Sequence, residues 1–77
     1  MDIKDFTAKF AAQFFETDPS EFKPETVFKE LDEWSSLSLI QMIAMIDAEY
    51  RVTVDGQIIN QAETIQDLFN AVCELKK

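Results

Sequence analysis

The chain contains no histidine. Without it no Ser-His or Cys-His nucleophile pair can form, and the chain lacks ligands that a zinc site would need. There is one cysteine, Cys73. It excludes an internal disulfide framework and points to a cytosolic setting. Glycine occurs once and proline twice. An all-β domain needs more turn residues, so helices are favoured. Gly56 alone cannot make a glycine-rich phosphate loop. Cationic residues are also scarce: seven Lys and Arg face fifteen Asp and Glu, for a net charge of −8. Nucleic acid is therefore a poor partner, and an anionic membrane surface is disfavoured for the same reason. Proteins with basic patches fit better, through electrostatic steering, although acidity also serves solubility by itself. The longest apolar run, Leu39 to Ile46, is broken by Gln41 and is too short to span a bilayer. Residues Met1 to Phe10 carry Asp2, Lys4, Asp5 and Lys9, unlike a signal peptide. The expectation is a cytoplasmic monomer.

What the chain has is apolar residues. They make up 47% of its 77 residues and include seven Phe. That suffices for one domain, residues 1–77, with a thin stability margin: a chain this short buries only about 60–65% of its unfolded surface. Ile3, Phe6, Phe10 and Phe14 recur at steps of three and four and predict an amphipathic helix over Ile3 to Glu16. Asp18-Pro19 stops it. The connection Thr17 to Trp34 is long, and Phe22, Val27, Phe28, Leu31 and Trp34 should pin it across the bundle. Pro24-Glu25 can start a short helical turn. A central helix from Ser35 or Ser36 to Tyr50, an extended link over residues 51–54, a brief helix from Asp55 to Gln61 and a last helix from Thr64 complete the chain. Thr64 and Asp67 form a variant capping box, and Ile65, Leu68, Phe69, Val72 and Leu75 make the last buried stripe. The fold class is all-α: three main helices and one short one in a four-helix bundle.

The central helix has more apolar surface than one core face requires. On a wheel of 100° per residue, Leu39, Met42, Ile43, Ile46 and Tyr50 share one side. Leu37 and Ala44 lie nearly opposite, with Gln41 and Ala48 between them and Ile40 and Met45 flanking. Two readings stand. The long loop covers this second face, or the face is a partner-binding strip.

Few residues offer chemistry. Asp32 and Glu33 are paired carboxylates, but in a loop they read as solvated surface, and a useful pocket is not expected in so small a domain. Cys73 lies near the edge of the last apolar stripe and reads as packing. The serine pair Ser35–Ser36 remains. Serines at a helix start are usually caps. Here they follow a mobile-looking acidic segment, Glu30 to Glu33, and open the most apolar helix, whose free N–H groups and dipole would stabilise an attached phosphate.

Phe28-Lys-Glu-Leu31, then Ser36-Leu37, then Asp47-Ala-Glu-Tyr50 resemble the acyl carrier protein family, in which a leucine, a short spacer and Asp-Ser-Leu precede the second helix. Val52-Thr-Val54 and Thr64-Ile65-Gln66-Asp67-Leu68 resemble its third-helix link and last-helix entry. The resemblance covers residues 3 to 75. It implies that a separate phosphopantetheinyl transferase, the holo-carrier synthase, attaches 4′-phosphopantetheine from coenzyme A to Ser36. It further implies that the arm carries an acyl or related group as a thioester to acyl-transferring or acyl-processing enzymes. Catalysis would reside on those enzymes, in fatty-acid, polyketide or related biosynthesis, and no metal is implied in the chain. Leu37, Ile40, Gln41, Ala44 and Asp47 fall where the family's second helix meets partners. Ser35 replaces the family's Asp, Ser38 and Gln41 replace acidic residues of common fatty-acid carriers, and the loop before Ser35 is one residue longer. These departures imply a specialised carrier. The alternative is an unmodified adaptor of the same fold that only binds proteins.

Overall fold

A computed structural model describes residues 2–76. Four α-helices follow one another: α1 (Ile3–Ala11), α2 (Ser36–Tyr50), α3 (Gly56–Gln61) and α4 (Ile65–Lys76). No strand occurs among the described residues, only an isolated antiparallel bridge between Val27 and Thr64. The all-α bundle expected from the sequence is therefore present.

Each helix starts on a local cap. The Asp2 carboxylate accepts from the Lys4 amide, Ser35 Oγ from Ser38 and Asp55 from Ile58. At α4 the Asp67 amide donates to Thr64 Oγ1, while Asp67 Oδ2 accepts from the Thr64 and Glu63 amides. The expected Thr64–Asp67 box thus forms. α2 ends at Arg51, which sits in the left-handed region at φ 56° and donates its amide to the Asp47 carbonyl. That reversal sends the chain into the extended link, where Val52 and Val54 are buried.

The core is built on aromatic rings. Phe6, Phe10 and Phe28 are fully buried with Met42, Ile46, Ile59, Ile65, Leu68 and Val72. Phe10 is the hub, with ring centroids 5.4–6.5 Å from those of Phe6, Phe14, Phe22, Phe28 and Trp34. Such pairs add about 0.5–1.5 kcal/mol each beyond simple burial.

Several expectations need correction. α1 ends at Ala11, not Glu16, and the chain tightens into turns in which Gln13 and Phe14 donate to Phe10 and Ala11. Phe14 stays buried because the turn keeps its ring against Phe10. The long connection forms short 3₁₀ helices at Pro19–Glu21 and Phe28–Glu30, whereas Pro24-Glu25 is a plain turn. Asp18 caps the first of these, and Pro19 needs no N–H partner there. The Pro24 and Thr26 carbonyls accept from Gln66 and Ile65, so the loop satisfies free donors at the start of α4. Leu75, expected in the buried stripe, is exposed near the end of α4. Met45, expected beside the second face of α2, is buried. On the wheel it lies 60° from Met42, on the same side as the buried Ser38.

The candidate attachment site at the start of α2

Ser35 and Ser36 do different work. Ser35 has extended backbone and is the N-cap. Its Oγ accepts from the Ser38 amide at 3.4 Å, and the Ser35 amide donates to Ser38 Oγ at 3.2 Å. The two serines form a reciprocal capping box. Ser38 Oγ also donates to the Glu33 carbonyl at 3.2 Å. Ser38, where common fatty-acid carriers have surface charge, is therefore buried and spent on structure.

Ser36 is the first residue of α2 and is exposed. Its hydroxyl has no hydrogen-bond partner among the described residues. The Ser36 and Leu37 amides likewise find no acceptor among the described residues, since the cap satisfies Ser38 and the Ser35 carbonyl takes Leu39. A phosphate on Ser36 would meet two free N–H donors and the positive end of a 15-residue helix dipole. The residues present fit such a group. The fit rests on backbone and dipole, as no acidic residue occupies the first turn of α2.

The second face of α2 is uncovered by the loop. Leu37 is 62% and Ile40 61% exposed, and Ala44, Asp47 and Ala48 are exposed as well. Gln41 is half-buried at its edge. The strip is continuous with Ser36 along one helix. Among the described residues no group of His, Cys, Asp and Glu side chains could hold a metal, and no helix is long and apolar enough to cross a membrane.

Two readings of the loop are overturned. Glu33 is not a free solvated carboxylate: it accepts four hydrogen bonds, from the amides of Phe15, Glu16 and Thr17 and from Thr17 Oγ1, at 2.8–3.2 Å. Partial burial pulls its carboxyl upward, but these donors together outweigh burial and hold it below the usual range. The segment before the serines is thus tied down, and Lys29 anchors it further by donating to the Asn60 carbonyl at 2.6 Å. An open groove of about 590 Å³ also lies between α1 and the loop, lined by Ala8, Ala11, Phe14, Pro19, Phe22 and Lys23 among others. No residue of α2 and neither serine lines it. Phe15, 90% exposed, was not expected from the sequence. Its signal was there: it falls one residue off the stripe of Phe6, Phe10 and Phe14.

A family profile described as the phosphopantetheine attachment site matches residues 8–72. The chain belongs to this family. Members are carrier domains with covalently attached 4′-phosphopantetheine, and they act with phosphopantetheinyl transferases and acyl-processing enzymes. The matched span contains the whole of α2, both serines and the exposed strip of this carrier. Comparison with curated proteins and with solved structures gives no match.

Proposed function

We propose that Ser36 is the attachment residue and that this carrier presents an acyl or related group to partner enzymes of a specialised fatty-acid, polyketide or related pathway. One observation carries the choice of serine. The Ser35 hydroxyl is engaged in the cap, whereas the Ser36 hydroxyl is exposed and has no partner among the described residues. A transferase needs an oxygen that can reach the coenzyme A phosphorus without dismantling the helix start. When attached, the arm supplies the thiol on which the cargo rides as a thioester. The chain's own residues expose the hydroxyl, offer the Ser36 and Leu37 amides to the phosphate, and present Leu37, Ile40, Gln41, Ala44 and Asp47 to partners. Catalytic bases come from those partners, consistent with a chain that has no His.

The test is intact mass after incubation with coenzyme A and a broad-specificity phosphopantetheinyl transferase. One phosphopantetheine should be added, and Ser36→Ala should abolish the addition. No addition to the native chain, or an addition that survives Ser36→Ala, refutes the assignment. One observation favours the adaptor alternative: Ser35 stands where the family's Asp serves the transferase's magnesium site, and no acidic residue replaces it in the first turn of α2. In that case the native chain gains no mass.

A further inference from the structure

Glu33 lies three positions before Ser36 and bonds in two directions. Its carboxylate enters a ring of donors in the turns that follow α1. Oε2 accepts from the Phe15 amide at 3.0 Å, and Oε1 accepts from the Glu16 amide at 3.2 Å, the Thr17 amide at 2.9 Å and Thr17 Oγ1 at 2.8 Å. Three successive N–H groups converging on one anion make a backbone nest. Its main-chain carbonyl accepts from Ser38 Oγ at 3.2 Å, and that hydroxyl in turn accepts from the Ser35 amide at 3.2 Å. One residue therefore connects the turns after α1 to the capping box that holds the serine pair. Between the two lies Trp34, whose ring packs on Phe28 at 4.9 Å and lies parallel to Phe10 at 6.5 Å.

We propose that Glu33 is a positioning residue for Ser36. By filling the nest of residues 15–17, its carboxylate fixes the path of residues 33–36 and so the place where the Ser36 hydroxyl meets the transferase. This rests on the reading of Ser36 as the attachment residue. The charge is essential to the arrangement. A nest of N–H donors favours an anion, and each oxygen accepts from the main chain. Gln in the same place supplies one acceptor oxygen and an NH₂ that points donors at donors. The nest then loosens while the aromatic core beneath it stays packed. The neighbouring carboxylates of Glu16, Glu21 and Asp32 surround the same cleft. Among the described residues none of the three carboxylates accepts a hydrogen bond there, so they supply no substitute for Glu33.

Glu33→Gln tests the proposal, with Asp32→Asn as the control for removing one acidic charge from the same loop. Two measurements are made on each. In transferase loading, Glu33→Gln should raise KM for the apo chain by roughly tenfold and leave kcat within about twofold, the signature of a loosened serine segment that must be ordered on binding before the same chemistry proceeds. Asp32→Asn should match the native chain. Amide hydrogen exchange by NMR should show Phe15–Thr17 exchanging faster together with the hydrogen-bonded amides of Trp34, Ser35 and Ser38 in Glu33→Gln, while Phe69–Val72 in α4 stays protected. Native loading kinetics in Glu33→Gln, or accelerated exchange confined to Phe15–Thr17, overturns the proposal. Equal effects of Asp32→Asn overturn it too, because net charge would then explain them. If the native chain itself is not loaded, the attachment reading fails separately. The exchange experiment still decides whether Glu33 orders the serine segment.

Discussion

Replacing Ile40 with Glu tests whether the exposed strip of α2 is the proposed partner surface and not core. Ile40 is 61% exposed, so about two fifths of its side chain is shielded in the free domain. Full burial of such a side chain is worth about 1.5–3 kcal/mol, and the shielded part therefore contributes roughly 0.6–1.2 kcal/mol to folding. A domain of this size has roughly 4–12 kcal/mol of stability, so Ile40→Glu should fold. The exposed three fifths is what a partner can bury, worth roughly 0.9–1.8 kcal/mol. That corresponds to about a five- to twentyfold loss in transferase kcat/KM, and a newly desolvated carboxylate pushes toward the upper end. The assay pairs thermal unfolding by far-UV circular dichroism with loading kinetics, and Ile46→Ala serves as the core reference. Ile46 is fully buried, and its truncation should remove about 2–5 kcal/mol. If Ile40→Glu lowers the melting temperature as much as Ile46→Ala, Ile40 is a core residue and the strip is misassigned. If loading is unchanged, the transferase does not use this face.

Ser35→Ala should remove the cap and destabilise the domain by about 0.5–2 kcal/mol in urea unfolding, yet still load; loss of loading at native stability would mean the serines exchange roles. Phe10→Ala should cost about 3–5 kcal/mol, because its ring touches five other aromatics. Trp34 fluorescence follows that unfolding, and a loss below about 1 kcal/mol would refute the hub role. The Tyr50 phenol is pushed up to about 12 by burial and by its hydrogen bond to Asp5. The folded state thus holds that proton more tightly than the unfolded chain, so its contribution is complete below about pH 10 and is lost as pH rises toward 12. Ultraviolet titration of the phenolate should show this late ionisation, and a midpoint near 10 would refute it. Glu33, Asp18 and Asp67 are held low by the donors they accept from, Asp5 by Lys9 and Tyr50. Their contribution has the opposite sign: present above the ordinary carboxylate range and lost as pH falls below it, readable as an acid-side fall in melting temperature.

The start of α2 was legible because it is a local matter. A serine with extended backbone, followed by an apolar run, announces a cap within a few residues, and the same holds for Asp55 and Thr64. The end of α1 was not legible. Its periodicity runs on to Phe14, but the amides of residues 15–17 turn to a carboxylate 16 to 18 positions away in the chain. No helical wheel contains that competitor. Met45 was misplaced for a related reason: a wheel gives its angle on α2 but not how far the surrounding core extends around the helix.

The sequence alone therefore determined the helical class, the order of the helices, the serine pair at the start of α2 and the excess apolar surface beside it. Composition, periodicity and capping act over distances of a few residues, and each is written in the residues themselves. Tertiary structure decided which face of α2 stays open, that Ser38 and Met45 turn inward, and that Glu33 is a clamp instead of a solvated charge. Those outcomes depend on which long-range partner meets a given donor or fills a given space, and only the folded chain brings such partners together.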